Sequence, residues 1–138
     1  MFNIGIIGAG WIARKMAETI AKLEGFSVSA IASRDIVKAK AFAKEFAIKK
    51  AYGSYEELVM DPAVDLVYVA TPHSHHLSHA SLAIEHGKPV LVEKAFTANE
   101  KEAKALVSLA RQKGVYLAEA IWTRYMPMSF KIKELLDS

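Results

Sequence analysis

The sequence predicts an α/β fold of the Rossmann type, a doubly wound parallel sheet of six strands in the order 3-2-1-4-5-6. Three observations carry that expectation. Apolar runs of strand length alternate with amphipathic helical stretches six times, the pattern of parallel strands joined by right-handed crossovers. The first run leads straight into Gly8-x-Gly10-x-x-Ala13. The residues of distinctive chemistry fall just past the carboxyl ends of the predicted strands, where ligands sit in such sheets.

Phe2 to Ile7, broken by Asn3 and Gly5, is the first strand, and Ile12, Met16, Ile20 and Leu23 give the helix after it an apolar face. Between them lies the turn Gly8-Ala9-Gly10-Trp11-Ile12-Ala13. Gly8 permits the tight bend, Gly10 lets a pyrophosphate approach the backbone, and the small Ala13 lets the helix pack closely on its strand. Free amides and the positive end of the helix dipole then face an anion. A glycine trio alone also fits an ordinary turn; the strand before it and the helix after it favour dinucleotide binding.

Glu24-Gly25 stops that helix, and Ser27 to Ala32 alternates as the second strand. Ser33-Arg34-Asp35 stands at its end, where an acidic side chain would bind the adenosine ribose and an arginine would accommodate a 2′-phosphate. Ser33 is a neutral donor, and the planar fork of Arg34 suits phosphate and stacks on adenine. NADP is therefore expected, with NAD as the alternative. Rival roles stay open: Asp35 binds the ribose, or it caps the next helix while Arg34 is merely solvated.

The second helix runs from about Ile36 to Phe46, burying Ala39, Phe42, Ala43 and Phe46. A short strand near Lys50 to Tyr52 precedes the capping box Ser54-Tyr55-Glu56-Glu57, which opens a brief helix ended by Asp61-Pro62. Val64 to Ala70, interrupted only by Asp65, reads as a strand buried on both faces and ends at Thr71-Pro72. The segment from His73 to His79 invites a metal reading, because His75 and His79 are i,i+4 partners in a helix. No carboxylate or cysteine lies nearby to complete a zinc set, and Leu77, Ala80 and Ile84 already define the buried face of a helix starting at about Ser74. No metal is expected. Gly87 ends this helix, with His86 in its last turn.

Pro89 to Val92 is the fifth strand and delivers Glu93-Lys94 at its end. Thr97-Ala98-Asn99-Glu100 reads as a second capping box, opening a helix with core face Ala103, Leu106, Val107 and Ala110 and stop Gly114. Val115 to Ala118 is the sixth strand. A last amphipathic run carries Met128, Ile132, Leu135 and Leu136. The expected division is a dinucleotide-binding domain over 1–126 and the start of a connecting helix over 127–138.

With 52% hydrophobic and 24% charged residues the composition is that of one globular domain able to bury a core. The absence of cysteine excludes a disulfide framework and a thiolate metal site. Net charge is +3, but lysines alternate with glutamates and no nucleic-acid motif appears. No apolar run reaches membrane-span length, and the first residues already read as strand rather than leader. Neither nucleic acid nor membrane is an expected partner, and the expected location is cytoplasmic.

Three motifs at their spacing make the chain resemble the glucose-fructose oxidoreductase and inositol dehydrogenase family, Gfo/Idh/MocA. They are Gly8-Ala9-Gly10-Trp11-Ile12-Ala13, Thr71-Pro72 with His76 four residues after the proline, and Gly87-Lys88-Pro89-Val90-Leu91-Val92-Glu93-Lys94. The tail Glu119-Ala120-Ile121-Trp122-Thr123-Arg124-Tyr125-Met126-Pro127 looks like the branch containing dihydrodiol dehydrogenases. The resemblance implies oxidation of a secondary alcohol on a sugar, polyol or diol, or the reverse reduction. It places cofactor contacts at Gly8, Ala9, Gly10, Trp11, Ile12, Ser33, Arg34, Thr71, Pro72, His76, Glu93 and Lys94. Lys94 would take the hydroxyl proton as hydride leaves for the nicotinamide, and Glu93 would orient it or bind the nicotinamide ribose. Trp122, Arg124 and Tyr125 would wall the substrate. The competing readings are a surface cation for Lys94 and core aromatics for Trp122 and Tyr125.

Two departures stand out. The family's Glu-Lys-Pro is here Glu93-Lys94-Ala95, without proline's fixed φ. The family's second α/β domain, which supplies a substrate-site histidine and commonly the dimer interface, is absent from this sequence, so a homo-oligomer is expected only through that missing domain. A stand-alone NAD(P)-sensing module without catalysis is the alternative function.

Overall fold

A computed structural model describes residues 1–138. The chain runs β1 (Phe2–Ile7), α1 (Trp11–Ile20), β2 (Phe26–Ala32), α2 (Ile36–Glu45), β3 (Lys50–Tyr52), α3 (Tyr55–Val59) and β4 (Leu66–Val69). It continues through a 3₁₀ turn (His73–His75), α4 (His76–Glu85), β5 (Val90–Glu93), α5 (Glu100–Lys113), β6 (Leu117–Ala120), a second 3₁₀ turn (Trp122–Tyr125) and α6 (Pro127–Leu136). All strand pairs are parallel and the order is β3-β2-β1-β4-β5-β6, as the sequence predicts. The order reverses between β1 and β4, so a crevice opens beyond their carboxyl ends.

The strands alternate into two apolar layers. Ile6 and Ile7 are neighbours in β1 and both are fully buried, but Ile6 packs with Ala13, Ala17 and Ile20 of α1 and with Phe42 of α2. Ile7 packs on the other face with Leu58 of α3, Ala80 and Ile84 of α4, and Leu106 of α5. Truncating either isoleucine to alanine costs about 2–5 kcal/mol at such a site. No helix is long and apolar enough to cross a membrane.

Several boundaries differ from the sequence reading. α1 buries Ala13, Ala17 and Ile20, with Ile12 and Met16 packed half-buried against the same core; the helix ends at Ile20, and Leu23 lies beyond it, half exposed. β4 starts at Leu66, because the Val64 amide is spent closing a turn on the Asp61 carbonyl at 3.1 Å. α4 starts at His76 rather than Ser74, after the 3₁₀ turn. The cap of α5 is Asn99, not Thr97: Asn99 Oδ1 accepts from the Glu102 amide at 2.9 Å, and Glu102 accepts from the Ala98 amide at 3.2 Å. Within the predicted face of α5, Leu106 and Ala110 are buried while Ala103 and Val107 are half-buried. β6 starts at Leu117, since the Val115 amide closes the end of α5 on the Ala110 carbonyl. The apolar residues of α6 are all exposed, Met128, Ile132, Leu135 and Leu136 included.

Candidate functional site

The turn after β1 is squeezed between the ends of β2 and β4. Gly8 donates to the Ala32 carbonyl at 2.9 Å, and its φ is +101°; a Cβ here would stand 2.9 Å from the Ala70 carbonyl oxygen. Only glycine fits that position. Gly10 is the N-cap of α1, yet no side chain caps the helix and its first turn carries no acid. A Cβ at Gly10 would meet nothing within 4 Å. The unpaired amides of α1 therefore open onto free space, a cradle that fits a pyrophosphate. Ala9 and Ile12 flank it half-buried, and Trp11 projects into solvent.

At the end of β2, Asp35 caps α2, its Oδ1 accepting from the amides of Val37 at 2.9 Å and Lys38 at 3.3 Å. Ser33 Oγ accepts from the Asp35 amide at 3.3 Å. Arg34 is exposed and lines a cleft of about 650 Å³ with Ser54, Tyr55, Glu56 and His79. The capping box that the sequence predicts is formed: the Glu57 amide donates to Ser54 Oγ at 3.2 Å, and Glu57 accepts from the Ser54 amide at 3.1 Å. It fixes Tyr55 at the cleft wall, edge-on to His79 with ring centroids 4.5 Å apart. His79 Nδ1 shares a hydrogen bond with Thr71 Oγ1 at 2.9 Å and its ring stacks on His75. Burial, then His75 and Arg34, push the His79 imidazole down to about 4, so it is neutral at pH 7. No group of three or more histidine, cysteine, aspartate or glutamate side chains assembles as a metal-ligand set.

The ends of β4 and β5 meet across the crevice. His76 is fully buried, and its Nε2 and Nδ1 lie 2.8 Å from the carbonyl oxygens of Thr71 and Ala95, the tautomer deciding which nitrogen donates. It thus ties the Thr71-Pro72 loop to the segment after β5. His73 Nε2 donates to the Lys94 carbonyl at 3.0 Å. Glu93 is buried; its Oε1 accepts from the Tyr68 hydroxyl and its Oε2 from the Lys94 amide at 3.1 Å. The Phe96 amide donates to Glu119 Oε1 at 2.8 Å. The Lys94–Ala95 peptide is cis, and these hydrogen bonds hold the turn without the family's proline. The Lys94 side chain is exposed, and no ion pair of the chain involves it or Glu93.

Two clefts adjoin at this point. One, of about 320 Å³, lies between Trp11, Ile12, Thr71, Pro72, His73, Glu93 and Lys94. The other, of about 560 Å³, shares Trp11, Ile12, Glu93 and Lys94 and adds Met16, Tyr68 and Trp122. The structure thus gathers Trp11, Ile12, Thr71, Pro72, Glu93, Lys94 and Trp122 around one crevice. Arg124 and Tyr125 share the turn with Trp122 but line neither cleft. Trp122 and Tyr125 are 61% and 70% exposed, so neither is a core aromatic.

Sequence reasoning passed over Tyr68, His73 as a wall, and Glu119. The signal for Tyr68 was present: it is the single hydroxyl inside an otherwise aliphatic buried strand.

Comparison with known proteins agrees with this geometry. Residues 2–120 match the sequence model of the Gfo/Idh/MocA oxidoreductase family, an NAD-binding Rossmann fold. Trans-1,2-dihydrobenzene-1,2-diol dehydrogenase of Mus musculus is 42% identical over 134 residues, 96% of this chain and 40% of that protein. D-xylose 1-dehydrogenase (NADP(+)) of Hypocrea jecorina is 60% identical over 87 residues, 63% of this chain and 22% of that one. A crystal structure of a 3-ketoreductase from Actinomadura kijaniata with NADP and TDP-benzene superposes with a TM-score of 0.91 at 31% identity, covering 99% of this chain and 42% of that one. The chain therefore spans well under half the length of these relatives.

Proposed function

This chain belongs to the Gfo/Idh/MocA oxidoreductase family, and from that premise we propose that it is the NADP-binding part of a dehydrogenase. The reaction passes a hydride between nicotinamide and a secondary alcohol or ketone of a small sugar, polyol or diol, with any subunit association made through the family's second domain. The observation that carries this reading is one crevice holding both an uncapped helix end beside Gly10 and an exposed lysine on an anchored backbone.

The residues divide the work along the crevice. The amides of α1 hold the pyrophosphate, with Gly10 leaving room for it. Arg34 grips the 2′-phosphate, and Asp35 caps α2 through its Oδ1. Thr71 and Pro72 wall the nicotinamide side. When bound, nicotinamide accepts or returns the hydride. Lys94 takes or gives the proton at the substrate hydroxyl oxygen, while Glu93 holds the Lys94 backbone and Trp122 walls the substrate.

Titrating the chain with NADPH and NADH, followed by the fluorescence of Trp11 and Trp122, tests the reading. NADPH should bind more tightly, and Arg34→Ala should weaken NADPH by about tenfold while leaving NADH within about twofold. Tighter NADH binding, or equal losses for the two nucleotides, overturns the NADP assignment.

A further inference from the structure

Tyr68 is a polar group set deep in an aliphatic strand, 1% exposed between Val67 and Val69. A buried hydroxyl without a partner is costly, so the position of this one demands an account. Parallel register pairs Tyr68 with Leu91, and Glu93 lies two residues further along β5. With the period of two, Glu93 and Tyr68 share a face of the sheet. The Tyr68 hydroxyl donates to Glu93 Oε1. The other carboxylate oxygen is taken by the Lys94 amide. Glu93 is itself 92% buried, since 8% of it is exposed, and no cation pairs with it. Its orientation thus rests on two donors, a hydroxyl from the neighbouring strand and the amide of the residue that follows it.

Resting on the nucleotide-binding reading above, we propose that Tyr68 is a positioning residue for the nicotinamide end of the crevice. Its hydroxyl turns the Glu93 carboxylate onto the Lys94 amide, and this chain of two hydrogen bonds sets where Lys94 leaves the sheet. Both Tyr68 and Glu93 border the cleft that Lys94 and Trp122 share, so a shift of the carboxylate moves the wall against which nicotinamide lies. Burial and Glu93 both push the Tyr68 phenol far up. The hydroxyl therefore keeps its proton, and its role as donor, at neutral pH.

The test removes the hydroxyl alone. Tyr68→Phe is titrated with NADPH, reading both the affinity and the emission of the bound reduced nicotinamide, and with 2′-phospho-ADP-ribose, which has no nicotinamide. NADPH affinity should fall about tenfold, the scale of one hydrogen bond to a charged acceptor, and the emission should change. Affinity for 2′-phospho-ADP-ribose should stay within about twofold, because its contacts lie at the other end of the crevice. Glu93→Gln should reproduce the selective loss, and adding Tyr68→Phe to it should cost nothing more. If Tyr68→Phe does not fold, Glu93→Gln alone must show the selective loss. Equal losses on both ligands, additive losses in the double variant, or unchanged NADPH affinity and emission overturn the proposal. Binding of neither ligand by the unaltered chain removes the nucleotide reading itself, and this inference with it.

Discussion

The amino edge of the sheet and its carboxyl edge use the same ingredients to opposite ends. Each holds a buried carboxylate, a tyrosine and a lysine. At the amino edge Lys50 Nζ sits 2.8 Å from both oxygens of Asp61, the Tyr52 hydroxyl donates at 3.0 Å and the Ala63 amide at 3.0 Å. Lys88 closes the segment by donating to the carbonyls of Asp61 and Val64, both at 2.8 Å. Burial alone would push the Asp61 carboxyl up, but the hydrogen bonds from Lys50, Ala63 and Tyr52 more than offset it and hold it below the usual range. At the carboxyl edge Glu93 has a tyrosine and an amide but no cation, and Lys94 points its charge outward. A carboxylate whose lysine is turned onto it is a rivet. One whose lysine is the next residue along the chain leaves that cation exposed at the crevice.

The largest effect that sharpens this contrast belongs to the carboxyl edge. Gly10→Ala should cut NADPH affinity by about tenfold or more by narrowing the pyrophosphate space, yet move Tm by no more than about 3 °C, since the added Cβ meets no protein atom within 4 Å. Calorimetric titration beside a melting curve reads both.

Next in size is the reverse pattern. Asp61→Ala should lower Tm by roughly 8 °C, because the Tyr52 hydroxyl and the Ala63 amide lose their acceptor, while the folded fraction binds NADPH within about twofold of the unaltered chain. If Asp61→Ala weakened NADPH as much as Gly10→Ala, the two edges would not be independent.

The smallest effect separates the edges by pH. The folded-state value of His79 is about 4, below its ordinary 6.5, so the unfolded chain binds more protons between those values. The stability that neutral His79 contributes is full above pH 6.5 and lost as pH falls toward 4. Tm should therefore slide by a few degrees across that window, and His79→Gln should flatten the slope. Asp61 has a lowered value, so its contribution is present above 3.8 and lost only at more acid pH. A single transition spanning both windows, unaltered by His79→Gln, would erase the distinction.

Legibility followed distance along the chain. The Ser54 box was readable because both partners lie within one helical turn, and so were the glycine turn and the strand order, which follow from local pattern and chain connectivity. Even locally the pattern misled at element boundaries, as at α5, where Thr97 and Asn99 are both competent caps and only the fold selected Asn99. The sequence shows α6 as an amphipathic run, but a periodic stripe does not say whether anything stands opposite it; here nothing in the chain covers it.

By itself the sequence determined the Rossmann topology, the glycine turn, and the placement of Arg34, Thr71-Pro72 and Glu93-Lys94 at strand ends, because each follows from hydrophobic period and backbone chemistry within a few residues. Tertiary structure alone decided that His76 ties two loops together and that Trp122 but not Tyr125 reaches the crevice. It also decided the pairings of Tyr68 with Glu93 and of Lys50 with Asp61. Parallel register and side-chain reach set those contacts across 25 and 11 residues of chain, and a one-dimensional pattern carries no record of which neighbours the folded sheet will supply.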